Sequence, residues 1–319
     1  MEQQRRLRFS ALLSCPSRRT QLRAGLPMSG WIDTIVQGVL LGGLYALFAM
    51  GQSLIFGVMR LTNTAHGDFI ILAAFGAFSL VLAIGLPPAA APWLAMGLLA
   101  PIAFGAGYGL QRFVLNGTLG KDPLPSLVVT FGLAIVIQNV LQEVYSADPR
   151  SIESGGLNIA SVRIGDDLAV GTLPLLIFAI AVAMAIAMQW LFDRTAIGRA
   201  FRAVSDDKDA AELMGLDHRH VYALATGIAF VLVAIAGTLH GMRTTVSPSD
   251  GPALLLYAFE AVIIGGMGSF YGTLAGGIIL GVTQAVGFRL DPGWGIWAGH
   301  MVFLGMLVFR PSGLFPKTR

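Results

Sequence analysis

The sequence predicts an all-α polytopic membrane protein, with about eight to nine transmembrane helices and interrupted segments among them. Three observations carry this. Of its 319 residues, 55% are hydrophobic and only 12% charged, with mean hydropathy +0.71, whereas a soluble domain of average composition carries about 25% charged residues. Apolar runs of about 20 residues recur along the chain, enough to cross a hydrocarbon core about 30 Å thick. The runs are continuous, not alternating, which excludes a β-barrel. The single cysteine, Cys15, leaves no partner for an intramolecular disulfide and no cysteine-based metal cluster.

Polar or helix-breaking residues bound each span. The first, near 33–58, stops before Arg60, and the second, 69–86, follows a polar stretch that ends at Asp68. The third, 93–111, ends at Arg112, and the fourth, 125–145, lies between Lys121 and Asp148. The fifth, 173–192, stops at Asp193-Arg194, and the sixth, 221–242, at Arg243. The seventh and eighth, 254–268 and 270–288, are broken by Gly265, Gly266, Gly268 and Gly272, and read either as two spans or as one span plus a re-entrant piece. The ninth, 294–309, ends at Arg310.

Lysine and arginine in the short loops set the orientation. The 193–220 segment holds Arg194, Arg199, Arg202, Lys208 and Arg219, the 112–124 loop Arg112 and Lys121, and the tail Arg310, Lys317 and Arg319. The 146–172 loop has Arg150 and Arg163 among Asp148, Glu153, Asp166 and Asp167. The first three are expected in the cytoplasm and the fourth outside, so residue 31 lies outside and the C-terminus inside. Residues 1–27 conflict with that placement, because six arginines face one acid there. A signal peptide needs a longer apolar region than Phe9-Ser-Ala-Leu-Leu13, and Leu12-Leu-Ser-Cys15 as a lipoprotein site lacks the same region. The favoured reading is a mis-called start, with Met28 as the true first residue and 28–319 as a single transmembrane domain. Without 1–27, 15 basic residues stand against 17 acidic ones, so the net +3 becomes −2. The basic balance then gives no support to a nucleic-acid partner.

The 193–220 segment is the longest polar stretch between apolar spans. Ser205 suits an N-cap, with Asp206 and Asp207 in the first turn where the helix dipole favours acids. Gly215 suits the position after the last turn. The spacing predicts a short helix over 206–214, with Ala210, Leu213 and Met214 on one face. A helix this short persists only in a groove. The alternative is a solvated loop of helix-like composition.

Two polar or glycine-rich interruptions stand out: Thr62, Asn63, Thr64, His66, Gly67 and Asp68 in the first half, and Gly265 to Gly272 in the second. Irregular backbone at membrane depth survives only inside protein or along a wet cavity, and paired interruptions point to a transport path. Near 60–68 the other reading is a tight cytoplasmic turn beside Arg60, with Asp68 capping the next helix. Glu143, His240, Glu260 and His300 lie at span positions, and Glu260 stands in mid-run. An ionisable residue there is a functional candidate. Glu260 either faces a substrate amine or amide, or fixes two helices by a hydrogen bond. Gly38/Gly42, Gly105/Gly109, Gly272/Gly276 and Gly277/Gly281 have the spacing of close helix contacts.

Four stretches, in order, give the chain a resemblance. They are Gly42-Gly-Leu-Tyr-Ala-Leu-Phe-Ala-Met-Gly51, then Leu61-Thr-Asn-Thr-Ala-His-Gly-Asp68, then Gly198-Arg-Ala-Phe-Arg-Ala-Val with Ala210-Ala-Glu-Leu-Met-Gly215, and last Gly265-Gly-Met-Gly-Ser269, Gly276-Gly277 and Arg310-Pro-Ser-Gly-Leu-Phe315. From about 31 to 316 the chain resembles the LivH-type permeases of branched-chain amino-acid ABC importers. Thr64 stands where that family usually has an aromatic residue, and Glu260 where it has an apolar residue or threonine.

The resemblance implies a bacterial inner-membrane subunit with a cytoplasmic C-terminus. It implies a path formed with a LivM-type second permease, solute delivered by a periplasmic binding protein, and two cytoplasmic ABC ATPases that bind ATP and Mg. Gly198, Arg199, Arg202, Ser205, Asp206, Asp207, Ala210, Ala211, Leu213, Met214 and Gly215 are the expected ATPase-coupling residues. Asn63, His66, Asp68, Glu260, Gly265, Gly266 and Gly268 are the candidate substrate path. The chain has no Gly-x-x-x-x-Gly-Lys-Ser/Thr motif, so no cofactor is expected on it and nucleotide belongs to the partners. It is expected to be a transport subunit, not an enzyme, in contact with membrane lipid. Importers of urea and short amides share this architecture, so the substrate stays open. An ion-coupled secondary transporter would need no docking segment and would carry more ionisable span residues. An intramembrane hydrolase would need a catalytic constellation, and His66 and Asp68 are the only close pair.

Overall fold

The computed structural model describes residues 28–119, 124–164 and 168–315. The 1–27 extension, Lys121, Asp166, Asp167, Lys317 and Arg319 lie outside the described residues. The helices are α1 (Met28–Met59), α2 (His66–Ile84), α3 (Ala91–Gly109), α4 (Leu124–Tyr145), α5 (Thr172–Arg194), α6 (Ala196–Asp206), α7 (Lys208–Leu213), α8 (His218–Arg243), α9 (Gly251–Gly265), α10 (Phe270–Leu290) and α11 (Trp294–Phe309). One antiparallel hairpin, β1 (Ser161–Ile164) with β2 (Leu168–Gly171), sits in the loop before α5, with Ser161 opposite Gly171. Seven of the helices are long and apolar enough to span a membrane, and α9 and α11 are shorter apolar helices.

Helix α1 is the centre of the bundle. Its run from Leu44 to Leu54 is buried throughout, and α10, α8, α9 and α5 pack around it. The α1–α10 contact is set by glycine. A Cβ at Gly38 would lie 2.7 Å from Val282 Cα, and one at Gly277 would lie 2.7 Å from the Gly42 carbonyl oxygen. Backbones come this close only where small residues line both helices. Helices α9 and α10 form an antiparallel pair through the same device, Gly265 against Gly272 and Gly276 against Ala261. The glycine-rich stretch is thus a turn between two helices, of which α10 is long enough to span a membrane and α9 is shorter. Gly105 and Gly109 have no such neighbour on another helix.

The outer faces are apolar as well. Val128, Phe131, Ile135, Val140 and Val144 of α4 are exposed along one side, as are Trp294, Trp297 and Leu304 of α11. In water such a surface would be unstable; against lipid tails it is the expected solvent.

The loops sort into two ends. Arg60 donates to the Ser205 carbonyl (3.3 Å), Ser205 to the Gly57 carbonyl (2.8 Å), and Arg112 pairs with Asp217 (3.1 Å), which gathers the α1–α2, α3–α4 and α5–α8 connections at one end. The C-terminal Leu314 and Phe315 amides bond to Ile264 and Gly265 at that same end, where Gly57 meets Gly268. Opposite them, Arg150 pairs with Val246, and Gln37 donates to the Ala169 carbonyl of the hairpin (3.3 Å).

Candidate functional site

The segment after α5 forms two helices, not one. Thr195 caps α6 by accepting the Gly198 amide (3.1 Å), and Phe201 and Val204 bury its apolar face. Gly198 lies directly on the Leu191 and Phe192 backbone. Arg202 donates to the Phe192 carbonyl and lies 4.0 Å from Asp193. The predicted start at Ser205 is corrected. Ser205 and Asp206 are the last residues of α6, so Ser205 is itself helical and is not a cap, and its hydroxyl donates to the Gly57 carbonyl. Asp207 is the cap of α7, accepting the Asp209 and Ala210 amides at 2.9 and 3.0 Å. The helix stops at Leu213, and Gly215 takes the left-handed turn at φ +86°. Ala211 is buried against the bundle, while Arg199, Ala210, Leu213 and Met214 point away from it. Leu213 and Met214 are 89% and 83% exposed. This end is anchored by Asp217, the cap of α8. Burial acts to raise its carboxyl, but hydrogen bonds from Arg112 and from the Arg219 and His220 amides outweigh it and hold the group below the usual carboxylate range.

Helix α2 begins inside the bundle. Its first residue, His66, shares a 2.8 Å hydrogen bond with the Phe48 carbonyl, and Phe48 lies about 16 Å before the end of α1 at 1.5 Å per residue. The 60–65 segment therefore runs back along α1 within protein. The reading of a tight cytoplasmic turn is corrected, and so is the cap. Ala65 holds the cap position, and Asn63 accepts the Ala65 amide (3.0 Å). Asp68 is in the first turn of α2, 2% exposed, and accepts a 2.8 Å hydrogen bond from Gln138 of α4. The start of α9 meets it there. Gly67 lies on the Gly251 carbonyl, and Gly251 lies against the Asp68 carboxylate. One buried carboxylate thus faces the positive ends of two helices that start within the bundle.

Glu260 of α9 is 1% exposed and hydrogen-bonds His300 of α11 through one oxygen, while Oε2 has no partner. Gly265, Gly266 and Gly268 do not join Asn63, His66 and Asp68. They pack against Gly272, the 313–315 backbone and Gly57 at the other end of α9.

Sequence reasoning missed a cavity of about 370 Å³ between α1, α8 and α9. Tyr45, Tyr257, His240, Arg243 and Thr244 supply its polar lining. The only sequence signal was His240 near the end of a span; Arg243 reads as a residue that merely ends one.

The chain matches the family model described as "Branched-chain amino acid transport system / permease component" over residues 34–310. It belongs to that permease family. It is 27% identical over 298 residues to the high-affinity branched-chain amino acid transport system permease protein BraD of Pseudomonas aeruginosa, covering 90% of this chain and 96% of BraD. To the LivH permease protein of Escherichia coli it is 26% identical over 263 residues, covering 80% and 85%. To the fructose import permease protein FrcC of Rhizobium meliloti it is 28% identical over 295 residues, covering 82% and 78%. The permease is a LivH-type, multi-pass membrane subunit of an ABC transporter and not itself an enzyme.

Proposed function

We propose that this permease is half of the membrane path of an ATP-driven importer in the bacterial inner membrane. The other half is a LivM-type permease. Two cytoplasmic ATPases hold ATP and Mg, and a periplasmic protein delivers branched-chain or other hydrophobic amino acids. The observation that carries this is α7. It is a six-residue helix, capped at both ends, too short to persist alone, and tied to the bundle by Ala211. Its outward tip is apolar, with Leu213 and Met214 almost fully exposed. An exposed apolar tip beside Arg199 and Asp206 suits a groove on a soluble partner. The end that carries α7 holds most of the basic loop residues, which supports a cytoplasmic placement for it and for the C-terminus. Asn63, His66, Asp68 and Glu260 are read as lining or supporting the path. Gly265, Gly266 and Gly268 are read as letting its walls close, and the permease domain as starting near Met28.

Purifying the tagged permease from membranes that contain its partners tests this. ATPase subunits should co-purify, and Leu213→Glu with Met214→Glu should remove them while the permease stays inserted. Retention of ATPases by the double variant removes α7 from the contact. Absence of any ATPase from the wild-type preparation removes the importer.

A further inference from the structure

Resting on the reading of the chain as a small-solute permease, we propose that the cavity between α1, α8 and α9 is a binding site for a zwitterionic α-amino acid. Arg243 anchors its carboxylate. The cavity, about 370 Å³, falls in the range of small-molecule sites, about 300–1,000 Å³.

Its walls divide by chemistry. Leu41, Leu44, Phe48 and Leu254 are apolar, and the remaining lining is Tyr45, Tyr257, His240, Arg243 and Thr244. Arg243 makes no hydrogen bond or ion pair among the described residues, and its Nη1 is buried without a partner. The His240 Nδ1 is likewise buried and unpartnered. The two residues stand three apart on α8, so their side chains share one side of the helix. A buried donor without an acceptor is costly, and the unpaired guanidinium at this cavity calls for an acceptor from outside the chain. A guanidinium presents a planar fork of donors whose best complement is a carboxylate or phosphate. The apolar walls and the single cation favour the carboxylate of a small apolar solute over a phosphate.

The rest of the lining is fixed. Phe48 meets the His240 ring edge-on at 5.2 Å, Tyr45 stacks on Tyr257 at 4.9 Å, and the Tyr45 hydroxyl donates to Gln284 Oε1 at 2.6 Å. Glu260 follows Tyr257 by three residues on α9, so it lies on the same side one turn further along. His300 holds one of its oxygens and the other is free. Glu260 itself is 1% exposed and lies behind the wall, which Tyr257 lines and Glu260 does not. One cation, Arg243, therefore faces an apolar-walled space. An α-amino acid meets it with its carboxylate and leaves its side chain to the leucines and Phe48. An amide, urea or a sugar brings no carboxylate and leaves Arg243 unmatched, and such a mismatch discriminates strongly because a buried polar group stays unpaired.

Two measurements on the complete transporter test the site. In proteoliposomes, Arg243→Gln should lower leucine uptake at least tenfold, with Arg243→Lys, which keeps the charge and loses the fork, between it and wild type. Wild-type uptake by Arg243→Gln overturns the proposal. Because that variant can lose its fold, selectivity is read separately with Arg243 in place and without soluble binding protein. In a Cys15→Ser background, Leu44→Cys should react more slowly with a water-soluble maleimide when leucine is present, and leucinamide or urea should give no protection. Equal protection by leucine and leucinamide overturns the proposal. ATP separates the two readings. Uptake that needs Arg243 but not ATP removes the importer and keeps the site; ATP-driven uptake indifferent to Arg243 does the reverse.

Discussion

Two buried carboxylates hold the interior of the permease in different ways. Asp68 accepts from Gln138 and lies at the joined N-termini of α2 and α9, where a negative charge is favoured. Asp68→Leu removes the acceptor and strands Gln138, and a buried hydrogen bond to a charged group contributes about 1.5–3 kcal/mol. A loss of that order should appear as earlier thermal inactivation in detergent, with Asp68→Asn losing less. A melt of Asp68→Leu that overlays wild type would remove the pinning role. Glu260 differs, since His300 occupies only one of its oxygens. Glu260→Gln preserves a hydrogen bond to His300 and should melt near wild type while lowering amino-acid uptake. Glu260→Leu should also destabilise the fold by about 1–3 kcal/mol. Full uptake by Glu260→Gln would leave Glu260 with an interhelical role alone. Glu260 stood out in the sequence because an acid in an apolar run is conspicuous. The partners of Asp68 did not, because Gly251 is remote in the chain and nothing local marks the meeting.

At the scale of elements, the long spans were legible because lipid imposes one simple rule, about 20 apolar residues between polar ends. Each predicted span has its helix, from Met28–Met59 to Trp294–Phe309. What sequence reasoning missed follows tertiary partners. The α6–α7 break was misplaced because Ser205 and Asp207 are both good caps two residues apart, and only the continuation of α6 through Asp206 decides between them. The β1–β2 hairpin went unread because a four-residue strand leaves little periodicity. Glycine spacing named the close contacts but not their partners: Gly38 and Gly42 meet Gly277 and Gly281 inside the subunit, whereas Gly105 and Gly109 meet no other helix. Gly281→Leu should push α1 and α10 apart, because its Cβ would land on the Gly38 carbonyl and the Gly42 backbone. Overpacking of this kind costs about 1–3 kcal/mol, and more where backbone must move. Gly105→Leu meets open space and should leave the isolated permease unchanged. The yield of folded, monodisperse protein after detergent extraction compares the two, and equal yields would contradict the α1–α10 packing.

For the whole molecule, the decisive question is which end faces the cytoplasm. The structure gathers α7, the α3–α4 connection and the C-terminal 310–315 stretch at one end, and the hairpin with the 244–250 connection at the other. The charge count gives the sign. Arg194, Arg199, Arg202, Lys208 and Arg219 lie at the α7 end, whereas the hairpin loop mixes Arg150 and Arg163 with four acids, and lysine and arginine are retained on the cytoplasmic side. Because the loops of each end are bonded to one another, one orientation fixes them all. Single cysteines in a Cys15→Ser background read it directly. Leu213→Cys, 89% exposed, should react with a membrane-impermeant maleimide only after the cytoplasmic face is opened. Ile159→Cys, 84% exposed beside the hairpin, should react in intact cells. The reverse pattern would put α7 on the outer face, beyond the reach of cytoplasmic ATPases. The importer reading would then fall, whereas the cavity at Arg243 would stand on its own test.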